Sequence, residues 1–335
     1  MNFLATDQIA QATTSLMQCG LSAENSEVTA RSIVCSDVWG AASHGLMRLP
    51  FYFSRLQKGG INPQATLQTL TKAASVATFD GNAGMGHWQV FRGAEIGAGM
   101  AQETGISLVT IKNSNHCGAL GIYLYPALDR NLLAIITSTG PAVMPAFGGK
   151  KAILSTSPIA AGIPAAPVPI IIDLATSAVA RGKIAAAAKN GDSIPAGWAV
   201  DKEGNPTTDA QAALMGMLSP LGGAKGFALA LLVESLSAGL SGGETAVNIP
   251  DMFKADDDAK PQLVSHSIIT IDPMKVAGED SLAGFSEIAQ NILNSGGRIP
   301  GAKRVHPSTI SEELITIPEN IADELAQWAK RLESE

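Results

Sequence analysis

Charged residues and aromatic rings are both scarce in this chain: of 335 residues, 16% are charged and 5% are Phe, Trp or Tyr. No run of Lys and Arg gathers anywhere and the formal charge is −7, which excludes a surface built for nucleic-acid phosphates. No apolar run reaches membrane-spanning length, and Met1-Asn2-Phe3-Leu4 leads into polar residues without a basic and apolar leader. A cytoplasmic protein with no membrane partner is expected. The three cysteines, Cys19, Cys35 and Cys117, form no CxxC pair, and their odd number points to free thiols in a reducing compartment. The five histidines are far apart and none stands in a ligand spacing such as HExxH, so no metal site is expected. A GxGxxG turn is absent too. The nearest approach, Gly81-Asn82-Ala83-Gly84-Met85-Gly86, has Gln89 where a third glycine is needed, and no Walker lysine loop occurs.

What is present is a large apolar fraction, 46%, with 34 glycines, enough for a sizeable core in one large domain or two. No repeat or low-complexity linker marks a boundary. The patterns predict helices from Thr6 to Gly20 and from Ser22 to about Val38, and a third capped by Ser43 and running to Gly59-Gly60, with Pro50 as a possible break. Strands are expected at Val76–Phe79, Ile106–Ile111, Leu133–Thr137, Ile170–Ile172 and Val264–Ile271, alternating with helices ending near Gly105 and spanning Phe227–Leu240, Asp280–Leu293 and Asn320–Arg331. The class is mixed α/β.

Ser43-His44-Gly45-Leu46-Met47-Arg48 is the stretch where chemistry is expected, although on its own it also reads as a helix-start histidine capped by Ser43 with a surface arginine. A histidine and an arginine four residues apart share one face of a helix, and together they suit a small anion: imidazole moves a proton near neutral pH, and guanidinium grips a carboxylate. Elsewhere, Asn113-Ser114-Asn115-His116 sits at a strand-to-helix turn, where function or a simple cap is equally consistent. Asp173-Leu174-Ala175-Thr176 follows an apolar strand at an expected helix start, able to hold ribose or phosphate or merely to cap that helix. Lys225 lies between glycines at another helix start and suits phosphate or carboxylate; Arg298 to Arg304 form a basic loop that closes on a phosphate or is solvated.

Taken together, Ser43-His44-Gly45 with Arg48 and Pro50, Asn113 to His116, Phe147-Gly148-Gly149, Asp173 to Ser177 with Arg181-Gly182-Lys183, Ala224-Lys225-Gly226 and Arg298-Ile299-Pro300-Gly301 resemble, in this order, the second type of malate/L-lactate dehydrogenase family. That family also holds sulfolactate, ureidoglycolate and diketogulonate dehydrogenases and piperideine- and pyrroline-2-carboxylate reductases. The resemblance implies a homodimer binding NAD or NADP on a non-Rossmann fold with a mainly antiparallel sheet. It implies a helical substrate and dimer part in residues 1–115 with 299–335, and a cofactor part in 116–298. His44, Ser43 and His116 are then catalytic, and Arg48 and Thr156 face the substrate. Asp173, Leu174, Ala175, Thr176, Lys225, Arg298, Pro300 and Gly301 hold the cofactor. Cys117 stands where the family usually has phenylalanine, and Ser155-Thr156-Ser157-Pro158 replaces Gly-Thr-Asn-Pro. The expected reaction is hydride transfer between nicotinamide and C2 of a small 2-oxo or 2-hydroxy acid. Cyclic-imine reduction is the nearest alternative, and a non-catalytic dinucleotide-binding protein is the alternative from another class.

Overall fold

The computed structural model describes residues 1–251 and 254–334. Four helices build the N-terminal part: α1 (Ala5–Gln18), α2 (Ala23–Val38), α3 (Leu49–Lys58) and α4 (Gly86–Thr104). Ser22 caps α2 by accepting the Asn25 N–H, and Gly20 turns the chain in a left-handed conformation that a side chain would resist. The helix expected from Ser43 to Gly59 is not continuous. Two 3-10 turns, Ala42–His44 and Leu46–Arg48, precede α3, because Gly45 is extended and Pro50 lacks the N–H that a helix interior needs, so it opens α3 instead.

Seven strands form the main sheet: β1 (Gln68–Lys72), β2 (Val76–Asp80), β3 (Ile106–Ser114), β4 (Leu133–Ser138), β5 (Ile159–Ile163), β6 (Ile170–Leu174) and β7 (Val264–Ile271). Their order is β1-β2-β3-β7-β4-β5-β6. Only β2 and β3 run parallel; every other neighbouring pair is antiparallel, so the sheet is mixed and mainly antiparallel. It takes strands from both sides of residue 115. Helix α4 lies close on it because Gly93 and Gly97 present no side chain to Ile111, Ile268 and Thr270. Ile111, Ile136 and Ile268 are fully buried, each contributing about 1.5–3 kcal/mol of apolar burial.

A second, smaller core gathers Met144, Leu154, Ile184, Ala199, Leu218 and Ala230 around α5 (Arg181–Asn190) and α6 (Ala224–Glu234). α7 (Glu279–Asn294) packs beside β6, and α8 (Glu319–Ser334) closes on α1 and α3. The helix expected directly after Asp173 is also absent. Beyond Leu174 the chain stays extended, Ser177 bridges Pro220, Ala178 N–H donates to Ser219, and α5 starts only at Arg181. Among the described residues, no helix is long and apolar enough to cross a membrane.

Candidate active site

The strand register brings the singled-out segments to one end of the sheet. Ser114, at the end of β3, pairs with Val264; His266 of β7 pairs with Ser138 of β4; and Ile159 of β5 pairs with Leu174 of β6. His116, Thr156 and Asp173 therefore lie at the same end of the sheet, on or beside β3, β5 and β6. The loop holding Gln262 reaches this edge from α3, where buried Arg55 donates to the Asp257 and Lys260 carbonyls, and Ser54 and Lys58 both bind the Asp258 carboxylate. Gln262 Oε1 then accepts the His116 N–H at 3.0 Å.

Four of the five histidines, 44, 87, 116 and 266, converge here although none is near another in sequence. The His44 and His116 rings stack with centroids 5.8 Å apart, and His87 stands edge-on to His116 at 6.4 Å. The Tyr52 hydroxyl is 2.7 Å from His116 Nδ1, and the Gly118 N–H, which can only donate, approaches the same nitrogen at 3.4 Å. Nδ1 is thus an acceptor, and the proton of the neutral ring is on Nε2. Ser43 Oγ lies 2.9 Å from His44 Nδ1. Arg48 does not extend along a helix face beside His44; its Nε folds back to donate to the Ser43 carbonyl at 2.7 Å. Its charge still reaches the ring: burial, helped by Arg48, pulls His44 down to about 4. Burial likewise brings His87 to about 3 and His266 to about 4, and holds His116 well below the ordinary imidazole value. All four rings are neutral at pH 7. Among the described residues no group of three His, Cys, Asp or Glu side chains is placed to hold a metal ion.

The remaining segments form a row beside this cluster. Asp173 accepts the Gly121 N–H at 3.1 Å and lies 3.5 Å from Arg304; burial pushes its carboxyl up while Arg304 pulls it down. The Pro300 carbonyl accepts from Ile171 of β6, and Gly301 sits so tightly on Ile171 that a Cβ would lie 2.5 Å from its side chain. Thr176 is fully buried, donating its hydroxyl to the Thr156 and Ser157 carbonyls, and its own carbonyl accepts from Leu221 ahead of the Gly222-Gly223 turn and Lys225. Leu174, Lys225 and Arg298 are exposed, and Ile299 is buried. Thr176 therefore ties Thr156 to the Leu221 turn before Lys225, and Pro300-Gly301 lies on β6, the strand that carries Asp173.

Tyr52, His87, His266 and Gln262 were not singled out from the sequence. Tyr52 reads as a core aromatic of α3, and His87 as part of a glycine-rich turn, so no local signal separates them from packing residues.

The profile of the malate/L-lactate dehydrogenase family matches residues 5–326. The chain is 36% identical over 320 residues to the (2R)-3-sulfolactate dehydrogenase (NADP(+)) of Chromohalobacter salexigens, covering 95% of each. It is 34% identical over 297 residues to a Δ1-pyrroline-2-carboxylate/Δ1-piperideine-2-carboxylate reductase of Pseudomonas putida, covering 88% of this chain and 86% of the other. It superimposes on the solved sulfolactate dehydrogenase of Methanocaldococcus jannaschii with a TM-score of 0.89 at 30% identity, over 99% of this chain and 98% of that one. The chain thus belongs to the malate/L-lactate dehydrogenase family, and it is an oxidoreductase.

Proposed function

We propose that this enzyme transfers a hydride between NAD or NADP and C2 of a small 2-oxo or 2-hydroxy acid of the malate, lactate or sulfolactate kind. The observation that carries this reading is the Nε2–H of His116, fixed by Tyr52 and Gly118, stacked on His44 beside Arg48 at the sheet end. Arg48 holds the substrate carboxylate, Thr156 borders the pocket, and His116 or the Ser43–His44 pair gives the proton to the developing alkoxide, or takes it back in oxidation.

The bound nicotinamide supplies the hydride. The chain's residues fit such a cofactor. Lys225 offers an exposed cation at the N-terminus of α6, and the buried Nη1 of Arg304, without a hydrogen-bond partner among the described residues, adjoins Asp173. Asp173, Leu174, Ala175, Thr176, Arg298, Pro300 and Gly301 would hold the dinucleotide, with Thr176 joining their loop to that of Thr156. The cofactor part is a non-Rossmann one, residues 116–298, and the substrate part comprises 1–115 with 299–335.

The homodimer expected of this chain would cover α6, whose outward residues Leu229, Leu231 and Leu232 are 47, 49 and 50% exposed. A helix that is apolar all round belongs in an interior. Cys35 and Cys117 are buried free thiols, in keeping with a cytoplasmic location.

The test is NADH and NADPH oxidation, in parallel, with pyruvate, oxaloacetate, sulfopyruvate, diketogulonate, piperideine-2-carboxylate and pyrroline-2-carboxylate. Turnover on an open-chain keto acid supports the reading. Turnover on the cyclic imines alone moves the enzyme to imine reduction.

A further inference from the structure

Gly45 of the Ser43-His44-Gly45 loop is not glycine for the sake of a left-handed turn, since its φ is −90°. The reason lies on another element. A Cβ at Gly45 would fall 2.2 Å from Oδ1 of Asp37 and 2.3 Å from Oδ2, so the carboxylate fills the space where a side chain would be. Oδ2 accepts the Leu46 N–H at 2.7 Å, and this carboxylate bond pins the loop onto α2. Around it the loop is wound by backbone bonds, Ala41 to Ser36, His44 to Ala41 and Gly45 to Ala42, and Arg48 Nε donates to the Ser43 carbonyl. Asp37 makes no ion pair among the described residues. The nearby charges are committed elsewhere: Arg31 to Glu27, Arg304 to Asp173 and the Trp39 ring, and Arg48 to the Ser43 carbonyl.

We propose that Asp37 is a positioning residue: its ionised carboxylate holds Leu46 and Gly45 so that His44 stacks on His116, and its protonation weakens the Leu46 bond that fixes this geometry. This rests on the reading of His44 as part of the reaction site. A neutral carboxyl is a weaker acceptor than a carboxylate, and nothing else ties the Leu46 amide down. Burial pushes Asp37 up to about 6, the Leu46 N–H pulling the other way, whereas His44 sits at about 4. In the oxidising direction the enzyme needs a neutral base, so the two groups give separable acid limbs.

The experiment is kcat/KM for oxidation of sulfolactate or malate, whichever turns over, from pH 4.5 to 8.5. The wild type should lose activity with a midpoint near 6. Asp37→Asn should lower kcat/KM about 10-fold at pH 8, leave the cofactor KM unchanged, and move the limb toward 4. A limb near 6 that survives Asp37→Asn, or no wild-type limb between 5 and 7, overturns the proposal. The Leu46 amide resonance of the wild-type protein, followed through the same pH range, is independent of turnover and of the variant's folding. Titration with a midpoint near 6 supports the hold on the loop even if the assigned reaction fails, and an amide that does not move overturns it.

Discussion

The Tyr52 hydroxyl and His116 Nδ1 lie 2.7 Å apart, between a residue of the third helix and one just past a central strand, 64 positions further along the chain. With the Gly118 N–H on the same nitrogen, this bond keeps Nδ1 an acceptor and the ring proton on Nε2. Tyr52→Phe removes it while keeping the ring that packs on His87 at 5.0 Å. Turnover should fall about 10-fold, the value of one ordinary hydrogen bond, with the fold intact by circular dichroism and the KM for cofactor unchanged. Full turnover in this variant would show that the tautomer is fixed by other means.

His44→Ala and His116→Ala separate the two possible proton carriers. The one that moves the proton should lose about 10²-fold or more in turnover, with cofactor affinity little changed. Near-normal turnover in His44→Ala would assign the role to His116.

The neutral, buried histidines make stability depend on pH. Folding lowers His44 and His266 to about 4 and His87 to about 3, from 6.5 in the unfolded chain. Below 6.5 the unfolded state therefore binds protons that the native state refuses. Their stabilisation is complete above pH 6.5 and declines as the pH falls toward their native values. Asp37 acts in the opposite sense: raised from 3.8 to about 6, it lets the native state take up a proton first and offsets part of the loss between those values. Urea midpoints should fall from pH 7 to pH 5, and His266→Gln should flatten the slope. A midpoint unchanged over this range would mean that the cluster is not excluded from protonation.

Cys35 and Cys117 are buried, and burial pushes both thiols up to about 12, so neither forms a thiolate at pH 8. Cys19 is half-buried. A thiol reagent should label one cysteine in the native enzyme and all three after unfolding. Rapid labelling of Cys117 would place it in an open pocket.

Replacing Leu229 and Leu232 together with lysine should turn the proposed dimer into monomers in sedimentation velocity. Their side chains are 47 and 50% exposed in the single chain, so the isolated fold should tolerate the change. A monomeric wild type would remove the dimer from the picture.

Local chemistry made much of the fold legible. Gly20 and Ser22 marked the break between two helices, and the apolar runs at Ile106, Leu133, Ile170 and Val264 are strands. The glycines around Lys225 open a helix as expected. Where reading failed, a distant partner decided. The helix drawn through Ser43 is interrupted because Asp37 binds the Leu46 amide, which periodicity cannot register. The helix drawn from Asp173 gives way to pairing of Ser177 with Pro220. His266 joins His116 only because the Val264–Ile271 strand enters between two others far from it in sequence, and His87 because the start of its helix lies against the Asn115 and His116 backbone. Tyr52 and Gln262 look like ordinary core and loop residues until that strand is in place.

The same insertion bears on how the protein is made. On the ribosome, the strands ending at Ser114 and Ser138 emerge early, yet each waits for Val264–Ile271 to occupy the gap between them. Until the last quarter of the chain has been synthesised, two apolar strand edges at the centre of the future sheet have no partner. Loop closure over such a distance is slow, and unpaired edges invite association with other chains. A nascent chain stopped before Val264 should therefore be a strong client of trigger-type chaperones, whereas release of the finished chain lets the sheet, and with it the histidine cluster, form in one late step.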